Sequence, residues 1–417
     1  MSGHRRRQRA ILIVVLSVVA GISSSGQARA APDPSNRAAM DDLTGLAASV
    51  LSRPGAVRGT DGRYHIAYEL VLTGATRFTV DVERVEVRDA RTHRVLLSLA
   101  GSELLSRMNP VADTPAGVPP DYPAVHPTAT RLGPSESAVV WLDVQVQRKA
   151  NLPRVLEHRI LASTVPLAGV KPFQFLSLVG HVSLRTAAPL RLGPPMRGGN
   201  WVAAEGCCDY PTHHRRGFLV ADGKQVVPQR FAIDWMRLDQ QHRAWVGDPH
   251  RLSSYFSYGQ PLIAAAAGRV VVATDGVADN PPPDEPPAPS VEGLPGNRVV
   301  LRVGPGVYLL YAHMVRGSVR VRVGQHVRRG QLLGRLGNSG ASATPHLHLQ
   351  VQIGRSVLTD GLRYVFDRFQ FLGRITDIFW DGDLGQRPNG QLTFAPASGS
   401  RTRLRELPLY NNVVRFR

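Results

Sequence analysis

Residues 345–352 read Pro345-His346-Leu347-His348-Leu349-Gln350-Val351-Gln352, and polar and apolar side chains alternate through them without a break. A period of two marks a strand, in which residues i and i+2 share a face. His346 and His348 therefore point one way, while Leu347, Leu349 and Val351 form the opposite, core-facing row. Two imidazoles side by side on a rigid strand suit metal chemistry, and the string taken alone fits a solvated face as well.

Neighbouring strings add donors. VYLLYAHM (307–314) also alternates, with Leu309, Tyr311 and His313 on one face and Leu310 and Ala312 on the other. In RFAIDW (230–235), Phe231 and Ile233 turn inward and leave Asp234 on the other face, where an acid in a burial-prone segment needs a partner. THHRRGF (212–218) supplies His213 and His214. Four donor-bearing segments, three of them predicted strands, converge on one concave surface.

The rest of the chain reads as β structure too. Alternating runs at 63–73, 78–89, 95–99, 137–147 and 157–163, separated by turn-rich stretches, predict an immunoglobulin-like β-sandwich over residues 55–190. Its histidines are scattered, so this half is a scaffold or a shield. The Pro- and Gly-rich LRLGPPMRGGN (190–200) marks a boundary, and a second domain runs over 191–354. Within it, the proline-rich stretch 279–297 interrupts two predicted strands as a long hairpin insertion. Residues 355–417 are expected to be a C-terminal extension.

The first thirty residues order an Arg-rich start, an apolar run from Ala10 to Ile22, and Ala28-Arg29-Ala30, which is a signal-peptide pattern with cleavage after Ala30. The run is shorter than the roughly 20 residues a spanning helix needs. Residues 31–54 then form a linker, and the mature protein is expected to be exported, to the periplasm or the extracellular cell wall, with no stable membrane anchor. The formal net charge of the 417-residue chain is +18, carried almost wholly by arginine, since only Lys149, Lys171 and Lys224 are lysines. Most of the surplus lies C-terminal to residue 190, which favours an anionic partner. Outside the cytoplasm nucleic acid is not that partner, and an acidic envelope polymer is the default. Cys207 and Cys208, the only cysteines, are adjacent, so a vicinal disulfide, intermolecular pairing and free thiols are all open, and no role is assigned to them.

With these segments in view, the chain resembles the lysostaphin-type, or LytM-type, zinc endopeptidases that cut the peptide part of bacterial peptidoglycan. The matching strings are AIDW with Asp234, YGQPLIAAAAGRVVVATDG (258–276), GNRVVLRVGPGVYLLYAHM (296–314) and GSVRVRVGQHVRRGQLLGRLGNSGASATPHLHLQV (317–351), about 150 residues from His214 to near Gly354. The resemblance implies an all-β chain whose peptidase domain is an antiparallel sheet, with Zn2+ held by an upstream His, Asp234 and His348. It also implies His346 as general base, His313 as a protonated stabiliser of the oxyanion, a zinc-activated water as nucleophile, and peptidoglycan peptides as substrate. One departure stands out. The family places its first ligand four residues before the Asp, where this chain has Arg230; His214-Arg215-Arg216 resembles a variant in which a His-Arg-Arg segment precedes the AIDW strand by an inserted turn, which implies His214, preferred to His213, as the displaced first ligand, and a hairpin over VADGKQVVPQ (220–229) turning at Asp222-Gly223 would return it beside Asp234. The competing expectation is a non-catalytic wall-binding regulator of other hydrolases, as some relatives have become after losing ligands.

Overall fold

The computed structural model describes residues 44–111, 130–165, 171–208, 212–284, 290–377, 379, 381–399 and 402–417. The expected signal peptide lies outside the described residues. Regular structure is almost entirely β, with helices reduced to short turns such as Gly101–Leu105 and His213–Arg216. Among the described residues no helix is long and apolar enough to cross a membrane.

Two five-stranded sheets make up the N-terminal half. One runs Leu46–Val50, Tyr64–Gly74, Ser137–Val146, Met108–Pro110, with Val57–Arg58 beside Tyr64–Gly74. The other runs Gln174–Ser183, Val155–Thr164, Val80–Asp89, Val95–Ala100, with Arg131–Leu132 beside Val80–Asp89. Alternation explains why the sheets face each other: Ile66, Tyr68, Leu70 and Leu72 of the first share one apolar cluster with Val80, Val82, Val85, Val87 and Ile160 of the second. The strand Leu46–Val50 falls in the stretch expected to be linker. Its sequence LAASV has too little apolar bulk to announce a strand, and it is fixed by antiparallel pairing with Leu70–Gly74.

The C-terminal half is built on one large sheet ordered Leu190–Leu192, Tyr364–Ile375, Asn412–Phe416, Gly198–Ala204, Ile233–Arg237, Leu347–Ile353, Val307–Met314, Asn297–Gly304, Gly268–Thr274, His326–Val327. Every adjacent pair in this order is antiparallel except the first. The proline-rich stretch does join a hairpin, that of Gly268–Thr274 and Asn297–Gly304. Residues 355–417 are not an appendage, in contrast to the expectation for them. Their strands Tyr364–Ile375 and Asn412–Phe416 lie inside the sheet, because Phe366, Phe369, Val414 and Phe416 pack into the same apolar cluster as Trp201, Trp235, Leu347 and Leu349. Trp235 meets Phe366 and Phe416 edge-on, with ring centroids 5.8 and 5.4 Å away.

Candidate metal centre

Strand register assembles the site. Ile233, Asp234 and Trp235 oppose Leu349, His348 and Leu347, so Asp234 and His348 are direct cross-strand partners on one face while Ile233, Trp235, Leu347 and Leu349 enter the core. His214 arrives from a different direction, on the turn His213–Arg216, where the Thr212 hydroxyl accepts the Arg215 backbone N–H. The strands Leu219–Ala221 and Lys224–Val226 pair as a hairpin, and Asp222 and Gly223 both take the positive φ, 48° and 72°, that a tight two-residue turn requires. This hairpin carries the chain back to Ile233–Arg237. His214 Nε2 ends 3.3 Å from Asp234 Oδ2 and His348 Nδ1 ends 2.9 Å from Asp234 Oδ1. His213 pairs instead with the Glu205 carboxylate.

His313 reaches the site by a route that alternation does not anticipate. On a regular strand it would follow Leu309 and Tyr311, and these lie in the core with Leu347 and Leu349, away from His348. His313 has φ of 60°, however, so extended geometry stops there. Its ring stands 4.7 Å from that of His346 and 6.0 Å from that of His348. A non-glycine residue held in this region costs of order 1–3 kcal/mol, a strain that concentrates at functional sites.

Hydrogen bonds fix which nitrogen of each ring carries a proton. His214 Nδ1 lies 3.2 Å from the carbonyls of both Glu205 and Ala232, which only accept, so Nδ1 donates. Its Nε2 is buried without a hydrogen-bond partner and turns a lone pair toward Asp234. For His348 the logic runs through two glutamines. Gln352 Nε2 donates to the carbonyls of Gly354 and Ser356, so its Oε1 accepts from Gln350 Nε2, and Gln350 Oε1 must accept from His348 Nε2 at 3.0 Å. The Nδ1 lone pair of His348 then also faces Asp234. His346 and His313 each donate from Nδ1, to Thr344 O and Ser339 O, both at 2.8 Å. His346 Nε2 is left 3.6 Å from Asp234 Oδ1.

Two lone pairs aimed at the two oxygens of one carboxylate repel unless a cation lies among them. The donor set, two imidazole nitrogens and a carboxylate oxygen, is one that zinc takes. Burial would raise the Asp234 carboxyl, but the imidazoles of His214, His346 and His348 around it hold it well below the usual range. Burial keeps His214 neutral, pushing it well below the ordinary histidine value. His313 is pushed down as well, by burial first and then by His346 and His348. As a neutral ring whose Nδ1 hydrogen is committed to Ser339, it presents a lone pair at Nε2 and becomes a donor only after gaining a proton.

Two further donor groups lie close by. Glu205 and His213 have ligand atoms within 4.8 Å of those of His214 and Asp234. A separate trio, His65, Asp143 and Cys208, has ligand atoms within 4.8 Å of one another, but Cys208 is joined to Cys207 in a disulfide and His65 is occupied between Asp143 and Asp61. The glutamine relay is absent from the sequence reading, although its signal was present: Gln350 and Gln352 continue the row of His346 and His348. Nothing in sequence spacing could show the carbonyls of Glu205, Ser339 and Thr344.

Residues 252–359, which contain His313, His346 and His348, match the model of peptidase family M23. Over this segment the chain is similar to peptidase family M23. Its segment upstream of the match contributes His214 and Asp234. Among solved structures, the chain is similar to the catalytic domain of the antimicrobial peptidase lysostaphin from Staphylococcus simulans, at 20% identity over 40% of this chain and 88% of that one, with a TM-score of 0.23. It is also similar to a catalytic-domain variant of the prophage-encoded M23 protein EnpA from Enterococcus faecalis, at 20% identity over 40% of this chain and 92% of that one, with a TM-score of 0.25. A zinc-containing peptidase from Vibrio cholerae shares 13% identity over 73% of this chain and 84% of that one, with a TM-score of 0.21.

Proposed function

We propose that this chain is an exported zinc endopeptidase of the M23 type that hydrolyses peptide bonds in the stem peptides or cross-bridges of peptidoglycan. The observation that carries the reading is the convergence of two imidazole nitrogens, His214 Nε2 at 3.3 Å and His348 Nδ1 at 2.9 Å, on the buried carboxylate of Asp234. These three residues hold the zinc. Bound there, zinc supplies Lewis acidity and brings a water close to ionisation at neutral pH. His346 is the general base: Thr344 O and the Ser342 hydroxyl hold its Nδ1 side, so that Nε2, 3.6 Å from Asp234 Oδ1, is the nitrogen that takes a proton on the site face. His313, oriented by Ser339 O, is the second proton carrier, and once protonated it donates to the developing oxyanion. The arginine-rich catalytic half draws the enzyme to an anionic wall.

The test follows amine release from purified peptidoglycan by the zinc-loaded chain, with metal content measured on the same samples. Release that depends on zinc supports the proposal, and a zinc-loaded chain that binds the wall without cutting it leaves the regulator instead. Export carries its own check: N-terminal sequencing of secreted protein should read from Ala31.

A further inference from the structure

We infer that Glu69, a residue of the N-terminal sandwich, positions His214, so that the sandwich is a working part of the metal centre and not a detachable shield. This rests on the zinc reading above for its consequence, though not for its geometry. Glu69 lies on the strand Tyr64–Gly74, on the face opposite Tyr68 and Leu70, and is fully buried against the C-terminal half. Its carboxylate receives Arg215 Nη1 at 2.6 Å, and Arg230 through Nε at 3.0 and 3.1 Å and Nη2 at 2.7 Å. Burial would favour its neutral form, yet the two guanidiniums hold it below the usual carboxylate range, so it is an anion.

These two arginines bracket the segment that delivers the first ligand. Arg215 follows His214 directly, and its other N–H groups go to Cys208 O, Tyr68 O and Leu142 O, all at about 3.0 Å or less. Arg230 closes the far end of the hairpin, four residues before Asp234, and reaches Gly361 O as well. A twenty-residue excursion from His214 to Asp234 therefore has both ends tied to a single carboxylate. The residue that stands where the family carries a ligand has become an anchor for the ligand's replacement. Apolar contact supports the same docking, since Phe218 and Val227 of the excursion pack with Val71, Val139 and Trp141 of the sandwich. A planar guanidinium fork fixes direction as well as distance, which a purely adhesive contact would not need.

The test uses the full-length chain and reads two quantities, zinc affinity by chelator competition and amide hydrogen exchange of residues 213–217. Glu69→Gln keeps the shape and removes the charge. It should lower zinc affinity by about tenfold or more, the usual effect of removing an outer partner of a metal ligand, and speed exchange at the His214 turn. Leu99→Ala, in the sandwich core away from this contact, should lower the thermal midpoint while leaving both readings within about twofold. Should Glu69→Gln fail to fold, Arg215→Lys, which keeps charge and loses the fork, carries the same expectation. Unchanged affinity and exchange in a folded Glu69 or Arg215 variant overturns the inference, as does an equal loss in Leu99→Ala. A wild-type chain that takes up no zinc refutes the zinc reading alone, because the exchange comparison still decides the role of Glu69.

Discussion

His346 and His348 share a strand face, but their neighbours differ: His348 Nδ1 turns to Asp234 and its far nitrogen to Gln350, whereas His346 is anchored through Nδ1 by Thr344 and stands further from Asp234, at 3.6 Å. His346→Ala is therefore expected to retain zinc and to lose wall-peptide hydrolysis by roughly two to four orders of magnitude, while His348→Ala loses both; metal analysis and amine release on the same preparations separate the two. Gln350→Leu removes the acceptor that keeps the His348 proton on Nε2, and zinc affinity should fall by about 10- to 100-fold in a competition titration. Gly296 matters for a different reason. Its φ is 55°, and a Cβ there would lie within contact distance of the Ser339 carbonyl that orients His313. Gly296→Ala should cost hydrolysis about tenfold or more through misplacement of that ring, with zinc content unchanged.

Individual strands were legible wherever period-two patterning was strong. Runs expected at 63–73 and 137–147 fold as Tyr64–Gly74 and Ser137–Val146, and the string 345–352 becomes the strand Leu347–Ile353 with its histidines and leucines on opposite faces. Pattern failed where the deciding term lay outside the string. Leu46–Val50 needs a partner strand to hold it, and His313 leaves the core face through a single backbone dihedral that no alternation encodes. Glu69 reads as an ordinary outward residue because the surface covering it comes from residues 146 and 161 positions further on. The strand Val155–Thr164 carries a pH dependence of its own. His158 is fully buried, accepts the Tyr68 hydroxyl and donates to Gly180 O, and burial pushes it down to about 4. Its folded value lies below the unfolded one near 6.5, so its contribution is present above that pH and is lost as pH falls toward 4. The sandwich should lose up to about 3 kcal/mol across that window, read from urea midpoints at each pH, and His158→Leu should flatten the curve.

At the scale of the whole molecule, the two halves meet over a buried charge cluster, and a piece starting at Pro194 strands Arg215 and Arg230 without Glu69. That piece also uncovers Phe218 and Val227, which pack on Val71, Val139 and Trp141, and frees the His214 turn from its anchor, so it is expected to show a lower thermal midpoint by circular dichroism and no stoichiometric zinc. The other end of the chain has an equal hold on the centre. Asn412–Phe416 is the strand that pairs with Gly198–Ala204, which in turn pairs with Ile233–Arg237 and so supports Asp234. The consequence is one of timing. A ribosome releases a polypeptide in sequence order, and Asn412–Phe416 emerges after all the ligand-bearing strands that lean on it. Long-range pairing of this kind forms late, so a chain delivered only as far as His348 has its histidines but lacks a strand that aligns them, and the site stays unassembled until residues 412–416 follow.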